Sequence, residues 1–379
     1  MKKSEINLLL NVLLISSIYF AVVGFLQDME NSANYGGIDL RNRVVGARLI
    51  KANYDPYFFK WNENYSELFL DSKDYPNLPV SRVTVPPTIL LIHSLFSDLP
   101  YKIQRYLWTI IQWFLILFSI FFFTRSVKNK IKIKLIWIIS LFFIADSFIF
   151  RLHVERGQIY ILYVFLFALS YYIYGLNIKF NRLLSGVIIG YSSVLRFPMV
   201  LIGLPFLICK RWKFVIGQII GVVLGILTSF LFVDYEIWRG YFKAMSIHSK
   251  IHLGIIEINT MRYPHIDIED MRDLWIWARL PITDSSIQGI VKKYLGIQIS
   301  TNILLISLII SIMLLIILFL RIKKQYENYN FIFLSSILII LVSELFLPAA
   351  RFSYSNVILL PIFSLIIINS EEVLSLLKK

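Results

Sequence analysis

Long apolar runs separated by short basic stretches set the character of this chain. Leu8–Leu26, Ile103–Thr124, Phe214–Phe232, Ile303–Leu320 and Phe331–Leu347 reach or approach the roughly 20 residues that cross a bilayer as helix. Lipid offers backbone N–H and C=O groups no partners, so such runs fold as helices. Leu135–Phe150, Ile159–Tyr174 and Val357–Ile368 are shorter apolar runs that complete the set. Val83–Phe96, which contains Pro86-Pro87 near its start, is too short to cross and reads as a segment that dips into the interface. Leu183–Cys209 has basic stretches at both ends yet only one span's length. It reads as a hairpin of two short helices with Arg196-Phe197-Pro198 at its tip, because proline removes a backbone donor and disfavours helix before it. Leu40–Ala52 mixes Val44, Val45, Leu49 and Ile50 with Arg41, Arg43, Arg48 and Lys51 and predicts an amphipathic helix in the interface plane. The expected fold is all-α: a polytopic transmembrane helical bundle of about 8–11 membrane helices including re-entrant segments, with amphipathic helices on the outer face. No repeat or flexible linker divides residues 1–379, so one domain is expected.

Charge placement orients the bundle. The basic stretches Arg125–Lys134, Asn177–Arg182, Arg321–Lys324 and Lys378-Lys379 belong in the cytoplasm by the positive-inside rule. That leaves residues 27–82, 151–158, 234–299 and 348–354 outside. The first run is long and lacks a small-x-small cleavage site, so it reads as a retained signal anchor. The expected location is the cell (inner) membrane.

Composition agrees. Hydrophobic residues make up 57% of the chain and charged residues only 16%, against roughly 25% charged in soluble domains. The net charge of +14 belongs to short loops and suits anionic membrane lipids, not nucleic acid. Cys209 is the single cysteine, and no His/Cys cluster has ligand spacing, so no disulfide, metal or cofactor is expected.

Asp39 is the residue that points to chemistry. It follows the first apolar run within Tyr35-Gly36-Gly37-Ile38-Asp39-Leu40-Arg41. It reads either as the N-cap of the helix beginning at Leu40 or as a general base for an acceptor hydroxyl. Gly36-Gly37 would let backbone approach a ligand closely. Arg156 reads either as an interfacial anchor or as a forked phosphate contact, and Gln158 at the mouth of a span suits a sugar hydroxyl. Arg196 sits at membrane depth, where charge is costly and usually functional. Arg351 follows Pro348 in an outer turn, and Glu344 and Asp146 lie near outer span ends. His153 reads mainly as an interfacial residue, Asp55-Pro56-Tyr57 as a turn, and Trp61, Trp108, Trp113, Trp275 and Trp277 as an aromatic belt. The orientation predicts that Asp39, Arg41, His153, Glu155, Arg156, Gln158, Arg196 and Arg351 converge on one outer cleft.

Ile38-Asp39-Leu40-Arg41, Gly46-Ala47-Arg48-Leu49-Ile50 and Tyr54-Asp55-Pro56-Tyr57 resemble the first outer loop of GT-C membrane glycosyltransferases. Pro86-Pro87, Gly157-Gln158 and Arg196-Phe197-Pro198 agree in order. The nearest group looks like the polyprenol-phosphate-mannose-dependent α-mannosyltransferase-like family, glycosyltransferase family 87, over roughly the first 210 residues. The resemblance implies a lipid-phosphate-linked sugar donor, a glycan or glycolipid acceptor, inversion at the anomeric carbon, no strict metal requirement and transfer on the extracytoplasmic face. It implies Asp39 as base; beside it, the chemistry of the residues themselves makes Arg41, Arg156, Arg196 and Arg351 the expected contacts to the donor phosphate, and His153, Gln158, Asp55 and Tyr57 the expected substrate contacts. Val85 stands where a tyrosine is often found, and Arg196 near where a lysine is common. A polysaccharide polymerase or ligase, with arginines such as Arg262, Arg272 and Arg279 in its late loop, is a competing reading. A flippase or transporter is another, though the inverted repeats it predicts are not evident.

Overall fold

The computed structural model describes residues 3–34, 36–71, 83–253, 255, 284–323, 328–349 and 351–371. These form α1 (Lys3–Asn34), α2 (Ile38–Lys51), α3 (Pro87–Ser94), α4 (Tyr101–Arg125), α5 (Lys130–Asp146), α6 (Phe148–Arg156), α7 (Tyr160–Gly175) and α8 (Asn181–Leu195). They continue with α9 (Gly203–Ile208), α10 (Trp212–Phe232), α11 (Tyr235–His252), α12 (Ile287–Leu295), α13 (Thr301–Lys323), α14 (Tyr329–Phe346) and α15 (Leu359–Ile368). The fold is an all-α polytopic bundle, and the one bridge between extended residues joins Asp284 to Phe352 among the described residues. Arg262, Arg272, Arg279, Trp275, Trp277 and the terminal lysines lie outside the described residues.

Among the described residues, five helices are long and apolar enough to cross a membrane, and a sixth span results if α5 and α6 are counted as one broken helix. This is a multi-pass membrane protein. α13 shows how such a span faces lipid: Ile306, Ile309, Ile310, Met313 and Leu314 are all exposed. The opposite extreme is the aromatic centre, where Phe167, Phe206, Phe214 and Phe333 are fully buried and the rings of Phe206 and Phe214 stack.

Three elements depart from expectation. α1 runs past Leu26 to Asn34, where Asp28 and Ser32 are buried against partners. Asp28 accepts from Arg151 at 2.7 Å and from Trp113 at 2.9 Å, and Ser32 meets Thr109 at 2.6 Å. The run Leu135–Phe150 is not one helix: the chain bends by 57° between α5 and α6, and Ser147 caps the new start by accepting from Phe150 N–H at 3.2 Å. Residues 151–158, expected as a loop, are therefore mostly helix. Trp108 and Trp113 are buried, not interfacial, with their indole N–H groups donating to Gly157 O and Asp28.

The hairpin at Arg196 follows from helix packing. Gly186 and Gly190 of α8 and Gly217 and Gly221 of α10 face each other's backbones so closely that a Cβ on any would lie 2.0–2.1 Å from a carbonyl oxygen opposite. Such small-residue faces let membrane helices touch backbone to backbone. Gly186 meets Phe214, Gly190 meets Gln218, and Val187 meets Gly221, so α8 and α10 are parallel. The chain between them must run back. Arg196 is extended at the turn, a 3-10 stretch Phe197–Ile202 follows with Pro198 in its first turn, and α9 completes the return. Gln218 fastens this limb by donating to Val200 O at 2.9 Å. α3 is likewise only a short helix, with Pro86 as its N-cap.

Candidate active site

The site begins at the start of α2. Its N-cap is Gly37, in the left-handed region at φ 76°, so Asp39 is not the cap but a first-turn residue. Gly36 and Gly37 are forced choices. A Cβ on Gly36 would lie 2.7 Å from Glu155 O, and one on Gly37 2.3 Å from the Tyr101 hydroxyl. The glycines thus let α2 approach protein, not a ligand: Gly37 N–H donates to Glu155 O at 2.7 Å. This joins the start of α2 to the end of α6, which closes at the left-handed Gly157.

That junction fixes Asp39. Arg156 Nε donates to its Oδ2 at 2.6 Å and Nη2 to its Oδ1 at 3.3 Å, while Gln158 Nε2 donates to Oδ2 at 2.6 Å. The Gln158 amide is oriented from its other end, where Oε1 accepts from Arg43 Nη2. Arg43 Nη1 donates to Gly157 O at 2.8 Å. Arg43 lies one helical turn from Asp39 on the same face of α2, the i, i+4 spacing. Asp39, Arg43 and Gln158 line a cavity of about 280 Å³.

A second charged group lines the same cavity. Arg196, from the hairpin turn, donates to Glu344 Oε1 from Nε at 2.9 Å and from Nη2 at 2.6 Å. Its guanidinium lies 4.2 Å from the ring centroid of Tyr160, within cation–π reach. Arg351 Nε stands 3.7 Å from Glu344 Oε2, an ion-pair distance too long for a hydrogen bond. The backbone of Arg351 is clasped: its N–H donates to Asp284 Oδ1 at 3.0 Å and its carbonyl accepts from Ser285 N–H at 2.6 Å. The Arg351 side chain is buried, yet Nε and Nη2 find no hydrogen-bond partner among the described residues. Beside the cavity, sharing Phe197, lies an apolar groove of about 530 Å³ between the hairpin, α10 and α11.

Of the residues singled out from sequence for chemistry, Asp39, Gln158, Arg196, Glu344 and Arg351 line this cavity and the others do not. Arg156 stands behind Asp39, between it and the Tyr354 ring. Arg41 turns away, to Asp71 at 2.7 Å and Gly36 O at 2.7 Å. His153 is fully buried, and its Nε2 accepts from Ile161 N–H at 3.3 Å. Asp55 caps its own turn by accepting from Tyr57 N–H at 2.8 Å, with its carboxyl pushed up by burial. Tyr57 donates to Val85 O at 2.8 Å and packs against Tyr241. Asp146 is exposed, and Glu155 is not on the cavity. Sequence reasoning missed Arg43, which its spacing from Asp39 could have indicated, and the wall tyrosines Tyr160, Tyr241 and Tyr354. Among the described residues, no three His, Cys, Asp or Glu side chains cluster as metal ligands.

A carboxylate from α2 and guanidinium groups from the hairpin and from the turn after α14 line one cavity in a membrane bundle, which narrows the chemistry, and comparison with known proteins decides the family. Residues 84–348, more than half of the chain, match the model of glycosyltransferase family 87. The chain belongs to that family. Comparison with curated proteins and with solved structures finds no match. The family 87 match reaches far beyond residue 210, where the resemblance read from sequence stopped, and takes in Gln158, Arg196 and Glu344. It begins at Thr84, so the Asp39–Arg43 turn of this family 87 chain lies before it, and Arg351 just after. As a family 87 member the protein is a membrane glycosyltransferase and takes a sugar donor and an acceptor.

Proposed function

We propose that this enzyme transfers a sugar, mannose or another hexose or pentose, from a polyprenyl-phosphate-linked donor to a hydroxyl of a glycan or glycolipid. Transfer takes place at the extracytoplasmic face of the cell membrane and inverts the anomeric centre. The observation that carries this reading is that Asp39 and the pair Arg196 and Arg351, brought from separate elements of the fold, line one cavity. Inverting transfer needs a base on one side of the sugar and stabilisation of the leaving group on the other.

In this reading the acceptor hydroxyl gives its proton to Asp39 as its oxygen bonds to the anomeric carbon. The bond from that carbon to the phosphate oxygen breaks, and its electron pair leaves with the phosphate. Arg196 and Arg351 meet that developing negative charge with guanidinium groups already in place. Arg351 supplies the donors that find no hydrogen-bond partner among the described residues, and forked guanidinium groups suit phosphate oxygens. Asp39 Oδ2 is saturated by Arg156 and Gln158, so Oδ1, with its single 3.3 Å contact, is the atom that takes the proton. The isoprenoid chain lies in the apolar groove beside Phe197, whose walls include Val222 and Ile226. Arg41 and Arg156, away from the cavity, hold the fold of the first loop and the carboxylate.

The test is donor class. Purified enzyme in liposomes is given a radiolabelled sugar either on a polyprenyl phosphate or on a nucleotide. Transfer from the lipid donor alone is expected. Transfer from the nucleotide sugar would overturn the reading.

A further inference from the structure

Arg105 is among the largest fully buried side chains of the described residues, and none of its hydrogen bonds there goes to a carboxylate. Its guanidinium instead donates to two backbone carbonyls at the end of α6: Nη1 to Val154 O at 3.0 Å and Nη2 to Glu155 O at 2.6 Å. Carbonyls at a helix C-terminus carry partial negative charge and lack intrahelical partners, so a cation there is favourable. A buried charge whose hydrogen bonds go to carbonyls and not to a carboxylate is still costly, which marks the contact as one the fold is built around.

What Arg105 holds is the junction that carries the base. Glu155 O also accepts from Gly37 N–H, at the start of α2. A Cβ on Gly37 would lie 3.0 Å from Arg105 Nε, so the turn before Asp39 rests on this side chain. One turn further along α4, Trp108 Nε1 donates to Gly157 O at 2.9 Å, the carbonyl that Arg43 also binds. Residues 154, 155 and 157 are thereby pinned to α4. Between and beside them lie Arg156 and Gln158, the two donors to Asp39.

We propose that Arg105, seconded by Trp108, is a positioning residue for Asp39: it sets the angle of the carboxylate toward the acceptor through α6 and the Gly36-Gly37 turn. It touches neither wall of the cavity. The inference rests on the reading of Asp39 as base. It predicts a defect in turnover and not in donor binding, since Arg196 and Arg351 have no contact with it in the hydrogen-bond network.

Arg105→Gln, Arg105→Lys and Trp108→Phe are compared with wild type in liposomes with a polyprenyl-phospho-sugar donor, each normalised to the folded fraction from gel filtration. Misplacing a catalytic group by about 1 Å costs on the order of 100-fold, so kcat of Arg105→Gln should fall about that far with the donor KM within about twofold. Arg105→Lys, which keeps the charge but not the fork, should recover part of the loss. Trp108→Phe keeps the assay informative where Arg105→Gln fails to fold, and should lower kcat by about tenfold. Arg105→Lys is then repeated in an Asp39→Asn background, where a residue acting through Asp39 has no further effect. Unchanged kcat per folded enzyme in Arg105→Lys and Trp108→Phe, or the same fold loss with and without Asp39, would overturn the proposal. Full activity of Asp39→Asn alone would instead overturn the reading of the base.

Discussion

The two charged walls of the cavity are built on opposite terms. On the α2–α6 side the donors interlock: Arg156 and Gln158 bind Asp39, and Arg43 binds Gln158 and Gly157 O. On the α14 side the satisfaction is partial. Arg196 donates to Glu344 Oε1 from Nε and Nη2, but Arg351 Nε and Nη2 and Glu344 Oε2 have no hydrogen-bond partner among the described residues. A buried guanidinium short of partners is destabilising on its own and favourable once a charged ligand arrives. The first wall is organised to hold one carboxylate still. The second is organised to receive an anion. A base needs orientation at all times, whereas a phosphate site needs its donors only when the donor lipid is bound.

Substitutions on the two walls should therefore fail differently. Asp39→Asn keeps the shape and removes the proton acceptor, so kcat should fall by about 10²–10⁴ in a single-turnover assay with donor in excess. Arg196→Ala comes next. It removes a cation from the leaving-group side, at about 10²–10³ in kcat, and leaves Glu344 without its hydrogen-bonded cation, with only Arg351 at 3.7 Å, so stability should drop by up to about 3–5 kcal/mol, which a thermal melt in detergent would read. Arg351→Ala leaves Glu344 paired with Arg196, so the protein should stay folded while donor KM rises about 10- to 100-fold. Val222→Trp narrows the apolar groove without touching either wall. Transfer from a long-chain polyprenyl donor should drop severalfold while a short-chain analogue is spared, and equal losses for both would place the chain elsewhere. Arg41→Ala should be nearly silent in transfer, because its partners Asp71 and Gly36 O lie off the cavity. A loss as large as that of Arg351→Ala would return it to the site.

Sequence patterning gave the height of each residue along the bundle better than its direction. Asp39, Gln158, Arg196 and Arg351 all sit where an apolar run ends or breaks, and those ends gather around one cavity. Whether a side chain at that level faces the cavity or turns behind it depends on helix rotation and inter-helix contacts, which no local pattern encodes. Arg156 and Gln158 are two residues apart, yet one stands behind Asp39 and the other lines the cavity. His153 reads as interfacial by its neighbours but is enclosed where α6 meets α7. Asp55 and Tyr57 read correctly as a turn, and their work is to seat that turn against Val85 and Tyr241. The hairpin at Arg196 was legible because Pro198 and the flanking basic stretches are local signals. The bend at Ser147 was not, since Asp146-Ser147 is only a two-residue polar step between apolar stretches.

The division of labour between the walls is tested most directly by the binding of unglycosylated polyprenyl phosphate, the leaving group itself, to wild type, Asp39→Asn and Arg351→Ala in detergent. The account predicts that Asp39→Asn binds within about twofold of wild type and that Arg351→Ala binds at least about tenfold more weakly. Unimpaired binding by Arg351→Ala, or an equal loss in Asp39→Asn, would contradict it.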